Sequence, residues 1–246
     1  MSEHEASWYH APLARVHDTA FFATGQAAAR TAHSLLPDPA HCGLIVELGC
    51  GSGVATRELA AAGYQMWGVD ISPSMIELAK AHVPAARFEV ASIYDVQVPP
   101  CQAVLAIGEI FNYETGNRSD ARLGELLRRV ANSLRPDGFL LFDVSTPGRI
   151  ASSKPERVID TADYTMWTRT TEDPAAGTLT RHTVTFARTG EDYRRSEEVH
   201  VLRLLDDSEV TKLLRQAGLA GERLPGYDGF ELNPGWSTWL ARPASG

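Results

Sequence analysis

The 246-residue chain has few cysteines, no long apolar run and a deficit of basic charge. Its three cysteines, Cys42, Cys50 and Cys101, form no close metal-ligand cluster and no even disulfide framework. The eight histidines make no HxxxH or HxH pair, so no metal site is expected. No stretch approaches the length needed to cross a bilayer, so no membrane association is expected. The opening MSEHEASWYHAPLARVHD lacks the basic-then-apolar layout of a secretory signal, and the expected location is the cytoplasm. Lys and Arg number 23 against 31 Asp and Glu, a formal net charge of -8. Phosphate contacts need concentrated positive charge, so nucleic acid is disfavoured as a partner.

What is present is a globular composition, 43% apolar and 22% charged, at a length that suits one domain with a modest insertion. Helical spacing places Phe22, Ala29, Ala32, Leu35 and Leu36 together before a break at PDPAHCG. Short apolar runs and amphipathic segments then alternate. GLIVELG, YQMWGVD, ARFEVAS, QAVLAIG and FLLFDVS read as strands, with RPDG as a turn before the last. VATRELAAAG, SPSMIELAKAH and SDARLGELLRRVANSL read as helices; Ser72 is the expected N-cap of the second, with Pro73 at its first position. This alternation predicts a parallel sheet covered by helices on both faces.

The pattern changes after about residue 150. ADYTMWTRTTED, TLTRHTVTFARTG and YRRSEEVHVLRLL alternate with period two and predict three antiparallel strands. Tyr164, Met166, Trp167 and His200 read as packing residues; Arg169, Arg181, Arg194 and Arg203 could bind an acidic substrate, with a solvated strand face as the favoured reading. Helix returns at DDSEVTKLLRQAG, with Asp206 and Glu209 as a capping box, and GWSTWLARP reads as a final strand. One domain is expected over residues 1–246: a helical cap at 1–42, a core at 43–150, an antiparallel β insertion at 151–205 and the rest of the core at 206–246. The insertion is expected to form a lid near a substrate pocket or a homodimer surface.

VELGCGSGV carries the strongest signal. A strand ending in a glycine turn that opens a helix presents backbone N–H groups and a positive helix end to a ligand. The glycines are Gly49, Gly51 and Gly53; the dinucleotide fingerprint G-x-G-x-x-G would need its third glycine at Val54. Glu47, just before them, attracts an ammonium group and repels a pyrophosphate. Asp70 ends the second strand, seventeen residues after Gly53, where an acid accepts hydrogen bonds from a ribose diol. Ile71 then lies beside the base.

VELGCGSG, GVDISPSMIELAK, FEVASI and AIGEIFNY, in this order and spacing over roughly residues 43–145, resemble the class I methyltransferases that use S-adenosylmethionine. The resemblance implies a Rossmann-like, mostly parallel seven-stranded sheet with its last strand antiparallel. It implies S-adenosylmethionine as cofactor and S-adenosylhomocysteine as product, with the loop from Glu47 through Gly49, Cys50 and Gly51 to Gly53 around the methionine portion. Asp70 would hold the ribose. The family often carries an acid after the third strand for the adenine amino group; Ser92 stands there, so Ser92 and Ile93 are the expected adenine contacts.

GEIFNYE follows the fourth strand, where ligands bind in such sheets. Gly108 is expected beside the cofactor, Glu109 to touch cofactor or substrate or to accept a proton, and Asn112 and Tyr113 to hydrogen-bond the substrate. Tyr9, His17, Asp18 and Phe22 could close the site from the N-terminal side, with His17 suited to proton transfer. Tyr227 is a further pocket candidate. The leading reading is methyl transfer to an oxygen or nitrogen of a small molecule by in-line displacement. Its rivals are a nicotinamide-dependent oxidoreductase, a non-catalytic adenosylmethionine-binding regulator, and a protein or nucleic-acid methyltransferase.

Overall fold

The computed structural model describes residues 9, 11–20, 22–113, 119–150, 154–230 and 234–244. Two helices, α1 (Ala11–Ala20) and α2 (Phe22–Leu35), precede the alternating core. The core runs β1 (Ile45–Leu48), α3 (Val54–Ala61), β2 (Met66–Asp70), α4 (Pro73–His82), β3 (Arg87–Val90), β4 (Cys101–Ala106), α5 (Ser119–Ser133) and β5 (Leu134–Ser145). A short 3-10 turn, Ile110–Tyr113, follows β4. Four strands come next: β6 (Glu156–Asp160), β7 (Tyr164–Asp173), β8 (Thr178–Thr189) and β9 (Asp192–Arg203). The chain closes with α6 (Asp207–Gln216), β10 (Leu219–Leu224) and β11 (Trp236–Pro243).

The main sheet has seven strands in the order β10-β11-β5-β4-β1-β2-β3. β1 pairs in parallel with β2 and β4, while β11 runs antiparallel to both β5 and β10. Alternate residues of the central strands face opposite helical layers, which follows from the period of two along a strand. Val46, Leu48, Val69 and Val104 pack with Leu126 and Val130 of α5 and Leu214 of α6. Ile45, Met66, Ala103 and Leu105 pack with Ala28 and Ala32 of α2 and Leu59 of α3. Burial on both faces explains why these strands read as continuous apolar runs.

Local capping follows the sequence. Ser72 Oγ accepts from Met75 N at 3.3 Å, with Pro73 at the first helical position of α4. Asp206 and Glu209 form the reciprocal capping box of α6. Three expectations need correction. RPDG lies within β5, which begins at Leu134, and not before it: Leu134 pairs with Cys101 and Phe139 with Ala103, so residues 135–138 bulge out of the ladder. The insertion has four strands, not three, in the order β6-β7-β8-β9; β6 is an exposed edge strand with too few apolar residues to announce itself. Phe22 is 44% exposed, and Ala27, Ala28, Ala29 and Ala32 form the buried face of α2 instead. Among the described residues, no helix is long and apolar enough to cross a membrane.

Candidate functional site

The carboxyl ends of β1, β2 and β4 open on one edge of the main sheet, where ligands bind in such folds. Gly49, Gly51 and Gly53 all have positive φ (68°, 53° and 81°), a conformation that glycine adopts without a side-chain clash. A Cβ at Gly49 would meet Ile110 Cδ1 at 2.4 Å, so that glycine is needed for packing. At Gly51 a Cβ would meet only Met75 Sδ at 3.9 Å, and at Gly108 nothing within 4 Å. The backbone at those two positions borders open space.

Two buried carboxylates flank this space. Asp70 ends β2 and ties the loops together: its Oδ2 accepts from Gly51 N and its Oδ1 from Ser72 N, both at 2.9 Å. Burial pushes its pKa up, and the amides of Ser72, Gly51 and Ile71 oppose the shift. Glu47 accepts from the Thr56 hydroxyl at 2.5 Å. Burial raises its pKa to about 7 against that hydrogen bond. A cationic partner would relieve the cost of charging it.

Cys50 offers less than the sequence suggests. Its N–H donates to Val69 O at 3.0 Å, its carbonyl accepts from Gly53 N at 2.9 Å, and its thiol is buried. It is a turn residue whose backbone N–H is engaged by β2 and whose carbonyl is engaged within the turn. Ile71 is half-buried at the rim. Ser92 is buried and its hydroxyl accepts from Tyr94 N at 3.3 Å; Ile93 is buried against the α5 layer.

The second sheet and the N-terminal segment cover the neighbouring space. Tyr9 O accepts from Ser72 Oγ at 2.8 Å, and Tyr9 N donates to Glu198 Oε2 at 2.7 Å. Its hydroxyl lies 3.0 Å from that of Tyr113. His17 packs edge-on against the Tyr9 ring, centroids 5.1 Å apart. Burial and the charge of Arg181 lower its pKa to about 4, so it is neutral at pH 7 and a weak base.

Glu109 adopts φ 64°, rare for a residue with a side chain, and is 3% exposed. One carboxylate oxygen accepts from Arg181 at 2.9 Å; the other accepts from the Ser145 hydroxyl and the Trp236 indole and lies 3.7 Å from Arg149 Nε. Burial raises its pKa, but Arg181, Ser145 and Arg149 outweigh that and hold it below the ordinary carboxylate value. In this structure Glu109 anchors Arg181.

Two expected substrate contacts are structural ties. Asn112 is fully buried; its amide N–H groups donate to Ser145 O (2.9 Å) and Arg203 O (2.6 Å), and its Oδ1 accepts from Ser145 N (3.0 Å). Tyr227 is buried with its hydroxyl donating to Asp143 Oδ2 at 2.6 Å. Asp143 in turn accepts from the amides of Gly108 and Glu109. Burial raises the Asp143 pKa to about 6 despite these bonds. Asp18 lies 3.7 Å from His82 and pins α1 to α4, and Glu114 lies outside the described residues.

Sequence reasoning favoured packing for His200 and a solvated face for Arg181, and it did not single out Glu198. A signal was there: in EEVHVLR, Glu198, His200 and Leu202 share one face by period two, and that face is buried. Among the described residues no cluster of His, Cys, Asp or Glu could hold a metal.

Residues 45–138 match the family model described as "Methyltransferase domain". The chain is 26% identical over 194 residues to YqeM of Bacillus subtilis, covering 74% of this chain and 75% of that protein. It is 25% identical over 190 residues to the dTDP-3-amino-3,6-dideoxy-alpha-D-glucopyranose N,N-dimethyltransferase of Streptomyces fradiae, covering 74% and 72%. In fold it is similar to the crystal structure of an S-adenosylmethionine-dependent methyltransferase from Clostridium acetobutylicum. That likeness has a TM-score of 0.77 and 17% identity, and covers 94% of this chain and 98% of the other. The glycine loop, the strand order and these likenesses agree: residues 45–138 match a methyltransferase domain, and the fold is that of S-adenosylmethionine-dependent methyltransferases.

Proposed function

We propose that the protein transfers a methyl group to an oxygen or nitrogen of a small molecule by in-line displacement. The observation that carries this reading is the edge between β1 and β4, where open space at Gly51 and Gly108 lies beside two buried carboxylates, Asp70 and Glu47.

These residues fit the cofactor. A carboxylate has about four acceptor positions, and the loop amides of Asp70 leave some for a ribose diol. Glu47, costly to ionise alone, suits an ammonium group. Gly49, Gly51, Gly53 and Gly108 keep the methionine side of the cleft free of side chains, with Cys50 shaping the turn. Ile71 and Ile93 supply apolar surface to the adenine, and the Ser92 hydroxyl retains a lone pair for its amino group.

The bound cofactor supplies an activated methyl group on a sulfonium. The chain's part is to hold the acceptor in line and exclude water. Tyr9 and Tyr113 present hydroxyls for the acceptor, and Arg181 stands beside them, held by Glu109. The Streptomyces fradiae relative is named as acting on an amino sugar, which supports testing sugar amines first.

The test is calorimetry with S-adenosylmethionine, S-adenosylhomocysteine and NAD, followed by a screen for labelled methyl transfer into a metabolite library. Binding of the first two and transfer into a small molecule support the reading. Binding of NAD in their place overturns it, and cofactor binding with no transfer to any acceptor favours the regulator.

A further inference from the structure

The inner face of the second sheet carries a hydrogen-bonded chain that ends among the groups covering the site. Glu198 and His200 of β9 are buried, at 5% and 2% exposure. Glu198 Oε2 lies 3.0 Å from His200 Nε2. His200 Nδ1 lies 3.5 Å from the Tyr113 hydroxyl, which lies 3.0 Å from the Tyr9 hydroxyl. The rings of Tyr9 and His200 are 5.0 Å apart. Three separate parts of the chain converge here: the N-terminal segment, the turn after β4, and β9.

The chemistry of the donors gives this chain a direction. With the Glu198 carboxylate as acceptor, the ring nitrogen that faces it, His200 Nε2, carries the proton of that contact. Nδ1 then accepts from Tyr113, and Tyr113 accepts from Tyr9. The hydroxyl of Tyr9, a half-buried residue, forms the outer end. The 3.5 Å step is long for a hydrogen bond, as catalytic contacts often are before the ligand is bound.

We propose that His200, oriented by Glu198 and reached through Tyr113 and Tyr9, takes up the proton that the methyl acceptor releases. This rests on the methyl-transfer reading. The acceptor's lone pair forms the bond to the methyl carbon as the carbon–sulfur bond breaks, its electron pair staying on sulfur. The acceptor's proton passes to the Tyr9 oxygen, the Tyr9 proton to Tyr113, and the Tyr113 proton to His200 Nδ1. The imidazolium beside Glu198 later returns its proton to water. Other charged or titratable groups face this path. Arg181 is the cross-strand neighbour of His200, Glu109 holds Arg181, and His17 of α1 lies against Tyr9. Burial and the nearby carboxylates raise the Tyr113 pKa against the charge of Arg181, and burial raises that of Tyr9, so both pass protons as neutral phenols.

The test combines nitrogen NMR of histidine-labelled protein bound to S-adenosylhomocysteine with pH–rate profiles, using the acceptor found by the library screen. Neutral His200 is expected to carry its proton on Nε2 and to gain the second on Nδ1, at a midpoint that moves in Tyr113→Phe. His200→Gln is expected to lower kcat about 100-fold, with S-adenosylhomocysteine affinity within about twofold of wild type. The ratio of wild-type to variant kcat should fall below the His200 midpoint; ionisation of the acceptor itself cancels in that ratio. A neutral His200 protonated on Nδ1, an unmoved midpoint in Tyr113→Phe, or a pH-independent rate ratio overturns the proposal. Failure of S-adenosylhomocysteine to bind sinks the methyl-transfer reading instead, and calorimetry on the same sample separates the two.

Discussion

Arg181 Nη2 lies 2.9 Å from Glu109 Oε2, and this pair joins the second sheet to the turn after β4. The guanidinium reaches from β8 across the space beside Tyr9 and Tyr113 to a carboxylate on the main sheet's edge. Breaking one side of such a pair leaves a buried charge uncompensated. Glu109→Gln is expected to destabilise the fold by about 3–5 kcal/mol, read as the urea midpoint. The pair also has a pH signature. Glu109 has a folded pKa below its unfolded value, so its contribution is present above the unfolded pKa and is lost as pH falls through the folded one. Wild-type stability should therefore fall more steeply at acid pH than that of Glu109→Gln; parallel profiles would remove the pair from the account.

Asp70→Asn should weaken S-adenosylmethionine binding by about 10- to 100-fold, the loss of charge-assisted hydrogen bonds worth about 1.5–3 kcal/mol. Asn keeps one acceptor oxygen, so one of the two loop amides loses its partner and the melting temperature should fall as well, while the other amide stays held. Calorimetry measures the affinity, and an unchanged Kd would free Asp70 from the ribose role.

Glu47 gives cofactor binding a pH dependence. Its folded pKa, raised to about 7, lies above the unfolded value. In the cofactor-free protein its contribution is full below about pH 4.5 and is lost as pH rises through about 7. An ammonium group reverses this by favouring the carboxylate. Affinity for S-adenosylmethionine should fall by up to about tenfold per unit as pH drops below about 7. It should also fall above about pH 8, where an α-amino group deprotonates. Glu47→Gln should flatten the acid side. Asp143, with a pKa of about 6, contributes to stability in the same direction, so the variant comparison isolates Glu47.

Gly49→Ala and Gly108→Ala should fail differently. Both have positive φ, so each costs about 1–2 kcal/mol in the backbone. At Gly49 the added methyl also strikes Ile110, and the melting temperature should fall further. At Gly108 it meets no protein atom within 4 Å and instead narrows the open space. Gly108→Ala should weaken cofactor binding with a smaller loss of melting temperature. A Gly108→Ala protein with wild-type affinity would place the cofactor elsewhere.

Tyr227→Phe should cost about 1–3 kcal/mol of stability by removing a donor from buried Asp143. It should leave the KM for the methyl acceptor unchanged. A selective rise in KM would return Tyr227 to the substrate pocket.

The sequence by itself determined the loops at the carboxyl ends of β1 and β2. Glu47, the three alternate glycines, Val54 and Asp70 lie within two strand ends and their turns, and local rules link such spacing to backbone geometry. The alternation of buried strands and amphipathic helices likewise determined the main sheet, because burial on both faces leaves a continuous apolar signature. Only the tertiary structure decided the acceptor side. Glu109 looked like a base until Arg181, 72 residues later, took its carboxylate. Asn112 looked like a substrate contact until the backbone of β5 and β9 took its amide. Tyr9, Tyr113, Glu198 and His200 come from distant segments; Tyr9 and Glu198 stand 189 residues apart. A buried polar group is defined by its partners, and partners that distant leave no periodic mark in the chain.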